Sequence, residues 1–198
     1  MPDIKHFDVD ATVEIIVELF WRNGLAATGI RDIVEGTGLN RSSLYATYGN
    51  KQSLYERALR RYIETWSAPT FRHLVDSQSG LLAITDFFDG LIELRCQGPF
   101  TGWGCMVTNA HAGVESGDPT VRAILNAHHE QLRDALIAAL QTAAGHKQLA
   151  VGTDIHAAAE LLTSLVYTVN LRSRSYAGTP MLRRVVAHAL GSITDGRA

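Results

Sequence analysis

Cysteine is scarce: the 198 residues hold two, Cys96 and Cys105. Two thiols are too few for a disulfide framework, so the fold has to rest on a hydrophobic core. For each cysteine the plain reading is a small buried hydrophobe. Long apolar runs are missing as well. Stretches such as Ile15-Ile16-Val17 are far too short to cross a bilayer. The N-terminus has no basic segment leading into an apolar stretch, so no signal peptide and a cytoplasmic location are expected. There is no repeat, no low-complexity tract and no sustained alternation of β-branched residues, which argues against a sheet. No paired carboxylates, glycine-rich phosphate loop or supported Ser-His or Cys-His pair stands out. Cys105 with His111 or His128 is the only conceivable nucleophile set, so an enzyme is not expected. The histidines His128 and His129 are adjacent and point apart, and Cys96, Cys105 and His111 lack metal-site spacing. Neither a metal nor a cofactor is expected.

Positive charge is also short overall, since the net charge is −2. Its distribution is uneven. Between Phe20 and Arg61 stand seven basic residues (Arg22, Arg31, Arg41, Lys51, Arg57, Arg60, Arg61) and three acidic ones (Asp32, Glu35, Glu56), so this segment carries +4 and the remainder −6. A positive end on an acidic body is what phosphate binding requires.

What the chain does have is helical periodicity. Asp8 caps a first helix with Val9, Val13, Ile16 and Phe20 on one stripe, ending at Asn23-Gly24. A short helix follows from Gly29 to Gly36 with Thr28 as its cap, then a turn at Thr37-Gly38-Leu39. Asn40 caps another short helix through Tyr45. A long fourth helix carries Leu54, Ala58, Leu59, Tyr62 and Trp66, and ends or kinks at Pro69. Further helices span about Leu81 to Arg95, Cys105 to Val114, Pro119 to Ala143, Thr153 to Leu171 and Pro180 to Ile193. The fold class is therefore all-α, with nine helices.

The informative stretch is Thr28 to Lys51, TGIRDIVEGTGLNRSSLYATYGNK. Two short helices around a glycine turn make sense packed crosswise, with Ile33, Val34, Leu39 and Leu44 inward and Gly38 at positive φ. The outward face of the second is then Arg41, Ser42, Ser43 and Tyr45, which suits a helix in a major groove. Arg41 can donate to guanine O6 and N7. Lys51 lies at a helix N-terminus that already favours an anion.

This string resembles the TetR family signature at Ile30-Arg31-Asp32-Ile33, Gly38-Leu39, Leu44-Tyr45, Tyr48 and Lys51, and the resemblance covers about Val9 to Trp66. It implies a DNA-binding domain at 1–50 and a ligand-binding and dimerisation domain at 51–198. The implied function is a homodimeric repressor released from double-stranded operator DNA by a small-molecule effector. It makes Arg31, Arg41, Ser42, Ser43 and Tyr45 the base-facing set. Thr28, Thr47, Tyr48 and Lys51 become phosphate contacts or their supports, with Asn40 beside them. Two departures stand out. Many members carry histidine where Thr47 stands and a small residue, often glycine, where Ser42 stands, so no operator sequence transfers. The homodimer implied would pair the helices near 153–171 and 180–193, which carry suitable apolar stripes.

Gly104-Cys105-Met106-Val107-Thr108-Asn109, with Asp118-Pro119 and Val121-Arg122, is similar to a TetR subgroup bearing a Gly-Cys-apolar motif at its sixth helix. Some members respond to electrophiles, oxidants or metals, and a helix N-terminus favours a reactive thiolate. Cys105 is thus an alternative sensor. A ligand pocket among helices five to eight would draw on Phe87, Phe88, Trp103, Cys105, Met106, Asn109, His128 and Tyr167.

Overall fold

The computed structural model describes residues 8–194; the outermost residues of the two expected domains, 1–7 and 195–198, lie outside the described residues. The first helix, α1, is Val9–Ala27, and the Asp8 carboxylate accepts hydrogen bonds from the N–H groups of Asp10 and Ala11 at 2.9 and 3.1 Å. Its buried stripe contains Val13, Ile16, Val17, Phe20 and Trp21. At Gly24 the backbone turns to φ 78°, and a short offset turn carries the chain on to Ala27.

The next two helices are α2 (Ile30–Thr37) and α3 (Arg41–Tyr48). The cap of α2 is Gly29, not the expected Thr28. Thr28 is fully buried, and its hydroxyl donates back to the Gly24 carbonyl at 2.7 Å. It closes the end of α1, so its hydroxyl is unavailable to a phosphate. Gly38 takes φ 69°, as the turn requires, and Asn40 caps α3 by accepting from Ser43 N–H at 2.8 Å. The third helix runs past Tyr45 to Tyr48 before Gly49 stops it at φ 84°.

Of the two expectations at Pro69, an end or a kink, the end is not what the fourth helix shows: it continues with a local irregularity just before the proline. Lys51–Tyr62 continues through one π-turn, Ile63–Ser67, into Ala68–Asp76, and we call the whole of 51–76 α4. Proline offers no N–H, and its ring collides with the carbonyl four residues earlier in a regular helix. The wider π-turn, in which Ala68 N–H reaches the Ile63 carbonyl, shifts that register just before Pro69. The helix therefore survives its proline.

Five helices complete the described residues: α5 (Leu81–Cys96), α6 (Met106–Ala112), α7 (Pro119–Gly145), α8 (Ile155–Arg174) and α9 (Thr179–Ile193). A 3-10 turn, Val114–Gly117, follows α6, where the sequence led us to expect helix up to Val114. Asp118 caps α7, and Asp154 caps α8, which therefore begins at Ile155 and not at the expected Thr153. Nine helices and no strand are found among the described residues, and none of these helices is long and apolar enough to cross a membrane.

The apolar residues form two clusters. One joins α5, α7, α8, α9 and the end of α4 around Phe88, Ile92, Leu136, Leu140 and Leu162. The other gathers α1, α2, α3 and the first half of α4 around Phe20, Trp21, Ile33, Leu44 and Tyr55, and it also takes in Met106, Val107, Val121 and Leu125. The body of the protein thus reaches into the core of the N-terminal helices.

Two glycines with positive φ differ in what surrounds them. A Cβ on Gly38 meets nothing within 4 Å, whereas one on Gly80 falls 2.4 Å from Gln148 Oε1 and 2.8 and 2.9 Å from the Ala143 backbone. Gly38→Ala should cost only the backbone strain, about 1 kcal/mol. Gly80→Ala adds overpacking and should cost about 3 kcal/mol or more. Urea denaturation of the two variants checks the order.

Candidate nucleic-acid interface and internal cavity

The α2–α3 pair is anchored from below. Ile33 and Leu44 are completely buried, and Tyr48 closes the core between α1 and α4. Burial pushes the Tyr48 hydroxyl above its ordinary pKa despite the opposing pull of Arg57, whose guanidinium lies 5.4 Å from its ring. Tyr48 is therefore a support of the helix pair and not part of its outer surface.

That surface is a ridge. Arg41 and Ser42 are exposed, and Ser43, Tyr45 and Thr47 are half-buried beside them. The Arg41 guanidinium lies 5.3 Å from the Tyr45 ring, which orients it without engaging its five N–H donors with a carboxylate. Asn40 is exposed and committed to capping. Lys51 opens α4, where the Asn50 side chain caps by accepting at Oδ1 from Ser53 N–H at 2.9 Å. Arg31 is less free than the sequence indicates: its Nε donates to Glu35 at 2.7 Å. Both side chains are largely exposed, so the pair is weak and can be exchanged for an anion.

A second feature is internal. A cavity of about 450 Å³ opens between α4, α5, α7 and α8. Trp66, Phe71, Phe87, Leu91, Leu94 and Val166 make its wall mostly apolar, and the π-turn contributes Trp66 and Ser67. Its polar groups are Arg95, Asn170, His128 and Cys105, with Asp86 and His73 among the exposed lining residues. Arg95 is 4% exposed. Its Nε donates to Asn170 Oδ1 at 2.7 Å and its Nη2 to the Tyr62 hydroxyl at 2.9 Å, and the guanidinium lies 5.4 Å from the Trp21 ring. Burial drives the Tyr62 phenol far above its ordinary range, and the Cys105 thiol beside it adds to the rise.

Of the expected pocket residues, Phe87, Cys105 and His128 line this cavity. Phe88 faces the opposite way into the core. Met106 and Asn109 line a smaller cavity of about 230 Å³ bordered by Phe20, Tyr55 and Glu115. Trp103 belongs to an aromatic knot with Trp21, Trp66 and Phe100, at ring distances of 4.8 to 5.4 Å. The Tyr167 hydroxyl stands between His111 Nε2 and His129 Nδ1, 3.3 Å from each. Sequence reasoning missed Arg95, Asn170, Trp66 and Phe71. Arg95 did leave a signal: it follows Ile84, Phe88 and Ile92 at core-facing helical spacing, where a charge is out of place. Among the described residues no three His, Cys, Asp or Glu side chains converge on a metal site.

Two hydrogen bonds tie α1, against which the helix pair packs, to the body. The Trp21 indole N–H donates to the Gly104 carbonyl at 2.8 Å, one residue before Cys105. The carboxylate of Glu115, itself buried, accepts from Leu25 N–H at 2.8 Å, one residue past the break at Gly24. Together these features describe a class: a helical DNA-binding regulator, with a helix-turn-helix reading head mounted on a domain that encloses a cavity.

The comparisons narrow that class to a family. Residues 13–58 match the model of the bacterial regulatory proteins of the tetR family, and residues 80–189 match that of the tetracyclin repressor-like C-terminal domain. The chain belongs to the TetR family of transcriptional regulators. The HTH-type transcriptional repressor ComR of Escherichia coli K12 is 26% identical over 187 residues, covering 94% of this chain and 89% of its own. The HTH-type transcriptional regulator YezE of Bacillus subtilis 168 is 31% identical over 160 residues, covering 80% of this chain and 81% of its own. A cysteine mutant of the TetR family regulator CifR, solved with a 26-bp double-strand operator, superposes with a TM-score of 0.82 over 96% of this chain and 99% of that one. At 20% identity that likeness is one of fold.

His128 is buried against Phe71, with ring centroids 5.2 Å apart. Burial, then the neighbouring His111 and His129, push its pKa from 6.5 down to about 4. Between those values the unfolded chain holds a proton that the folded chain does not, so stability should fall as pH drops from 6.5 towards 4. The loss should be about 1.4 kcal/mol per pH unit across that window. Urea denaturation at pH 7 and pH 5 should show it, and His128→Phe should flatten that part of the profile.

Proposed function

We propose that two copies of this chain grip a palindromic operator, repress transcription there, and let go when a small molecule fills the cavity between α4, α5, α7 and α8. The observation that carries the DNA half is the ridge of exposed Arg41 and Ser42 with half-buried Tyr45, on a helix whose other face is buried. In this reading Arg41, Ser42, Ser43 and Tyr45 read base edges, joined by Arg31 once phosphates displace Glu35. Thr47 and Lys51 hold the backbone, while Asn40, Thr28 and Tyr48 keep the ridge in place. Residues 1–50 act as the reading unit and 51–198 as the responding and pairing unit.

Pairing is assigned to α8 and α9. Ala157, Leu161, Ser164, Thr168 and Leu171 are exposed on α8 at alternating four- and three-residue spacing, the period of a helix–helix seam. Val185 and His188 are exposed on the outer face of α9. A two-fold axis through this seam supplies the two heads that a palindrome needs. The protein acts without catalysis and without a cofactor, and it works on DNA in the cytoplasm.

The route for the signal runs through Trp21 and Glu115. A ligand that displaces the Gly104-Cys105 segment or the 3-10 turn moves the end of α1, and α2 and α3 ride on α1. A coupling of 1–3 kcal/mol is typical of allosteric proteins, and two hydrogen bonds of about 1–2 kcal/mol each match it.

Gel shifts on the DNA upstream of its own gene test the reading, with salt-dependent retardation as the expected result. Arg41→Ala should cost about 1–3 kcal/mol and relax preference at one base position per half-site. Lys51→Ala should weaken all sequences alike and lower the salt slope by about one. Equal effects on base preference would overturn those roles.

A second reading makes Cys105 a thiol switch, and its place on the cavity wall beside Tyr62 favours it. The thiol is 5% exposed, so a reagent must enter through the cavity. On this reading, a mild electrophile should add mass at Cys105 and release the DNA together. An unmodified Cys105 with unchanged retardation removes it.

A further inference from the structure

Arg95 is a buried cation that no carboxylate among the described residues neutralises. The ion pairs of the body lie elsewhere, as in Arg183 with Asp89 at 3.2 Å. A guanidinium keeps its charge at any working pH, so burial cannot be relieved by losing a proton. The partners it has are neutral: Asn170 at Nε, Tyr62 at Nη2 and the Trp21 ring. Nη1 is buried and has no hydrogen-bond partner. Leaving a charge and two N–H donors unmet in an apolar wall is costly, and a packing role alone would be served by leucine or methionine.

The surroundings define what would complete it. Arg95 stands on the wall of the 450 Å³ cavity, a volume that suits a small ligand. Asp86, the acidic residue among the lining set, lies nine residues earlier on α5, about 13 Å away along the helix, and is exposed. The wall between them is apolar: Phe71, Phe87, Leu91 and Leu94. His128, neutral at pH 7, is buried on the same wall with both ring nitrogens unpartnered.

We infer that the cavity takes a small amphipathic anion, its carboxylate-type head on the Arg95 guanidinium and its apolar body against Phe71, Phe87 and Leu91. This deepens the effector reading above and rests on it. The head neutralises the buried guanidinium, and His128 offers a neutral donor or acceptor to a polar substituent of the ligand. Because the same guanidinium faces the Trp21 ring, seating the head acts directly on the side chain that links α1 to Gly104.

Isothermal titration of the full chain with 1-naphthylacetate and 1-naphthylacetamide supplies the test, since the two are close in shape and differ in charge. Release of the upstream DNA by each is read in parallel by fluorescence anisotropy. The acid is expected to bind at least tenfold more tightly than the amide. Leu91→Trp, which fills the cavity from its apolar wall, should abolish that binding, and Arg95→Met should bring the acid down to the level of the amide. The acid–amide comparison in the unsubstituted chain does not depend on either variant folding. Equal affinities, no binding of the acid, or acid binding that survives Leu91→Trp overturns the anion site. Tight acid binding that leaves the DNA occupied upholds the anion site and overturns the effector role of the cavity. Equal affinities with release of DNA by both compounds do the reverse.

Discussion

The position of Trp21 constrains the rest of the molecule. It is the last large side chain of the buried α1 stripe, and it has 1% of its surface exposed. Its N–H is spent on the Gly104 carbonyl, its faces and edges meet Tyr62, Trp66, Phe100 and Trp103, and the Arg95 guanidinium lies over it. A buried indole with its one donor satisfied and four aromatic neighbours has little freedom to tilt. Because α1 carries α2 and α3, the angle of that ring sets where the Arg41 ridge points. The orientation of the reading head is thus decided at the boundary between the two apolar clusters, far from the ridge itself.

The same boundary is where the proposed communication between the cavity and the head would run. Met106, Val107, Val121 and Leu125 lie in the core of the N-terminal helices, while Cys105, one residue before Met106, is on the cavity wall. A shift of the Gly104-Cys105 segment is therefore felt on both sides. Close-packed cores respond to such shifts by moving between discrete arrangements. The Glu115 grip on Leu25, just beyond the glycine break, supplies a second point of control on the end of α1. Neither contact is strong by itself, which is what the proposed release by a small ligand requires.

The reading head was largely legible in the sequence because its determinants are local. Asn40 caps, Gly38 turns, and the spacing of Ile33, Leu39 and Leu44 sets which face is buried. The errors there were also local competitions: the Thr28 hydroxyl has two helix ends within reach and closes the earlier one. At Pro69 the sequence left an end or a kink open, since the extra residue of a π-turn leaves no mark in the periodicity. The cavity was legible only in part. Phe87, Cys105 and His128 lie on it, but Phe88 and Trp103 serve cores, because an apolar residue on a helical stripe looks the same whether it meets a neighbour or an empty space.

By itself the amino-acid sequence determined the helices, most of their ends and the face that each one buries, since caps, glycines and apolar spacing act within a turn or two of the chain. It also determined the polar ridge, which needs only Arg41, Ser42 and Tyr45 on one side of a short helix. The tertiary structure alone decided that Arg95, Asn170, Tyr62 and Trp21, separated by up to 149 positions, surround one another. Which charge goes unneutralised, and which gap between helices stays open, depend on how four helices stack, and no local pattern encodes that.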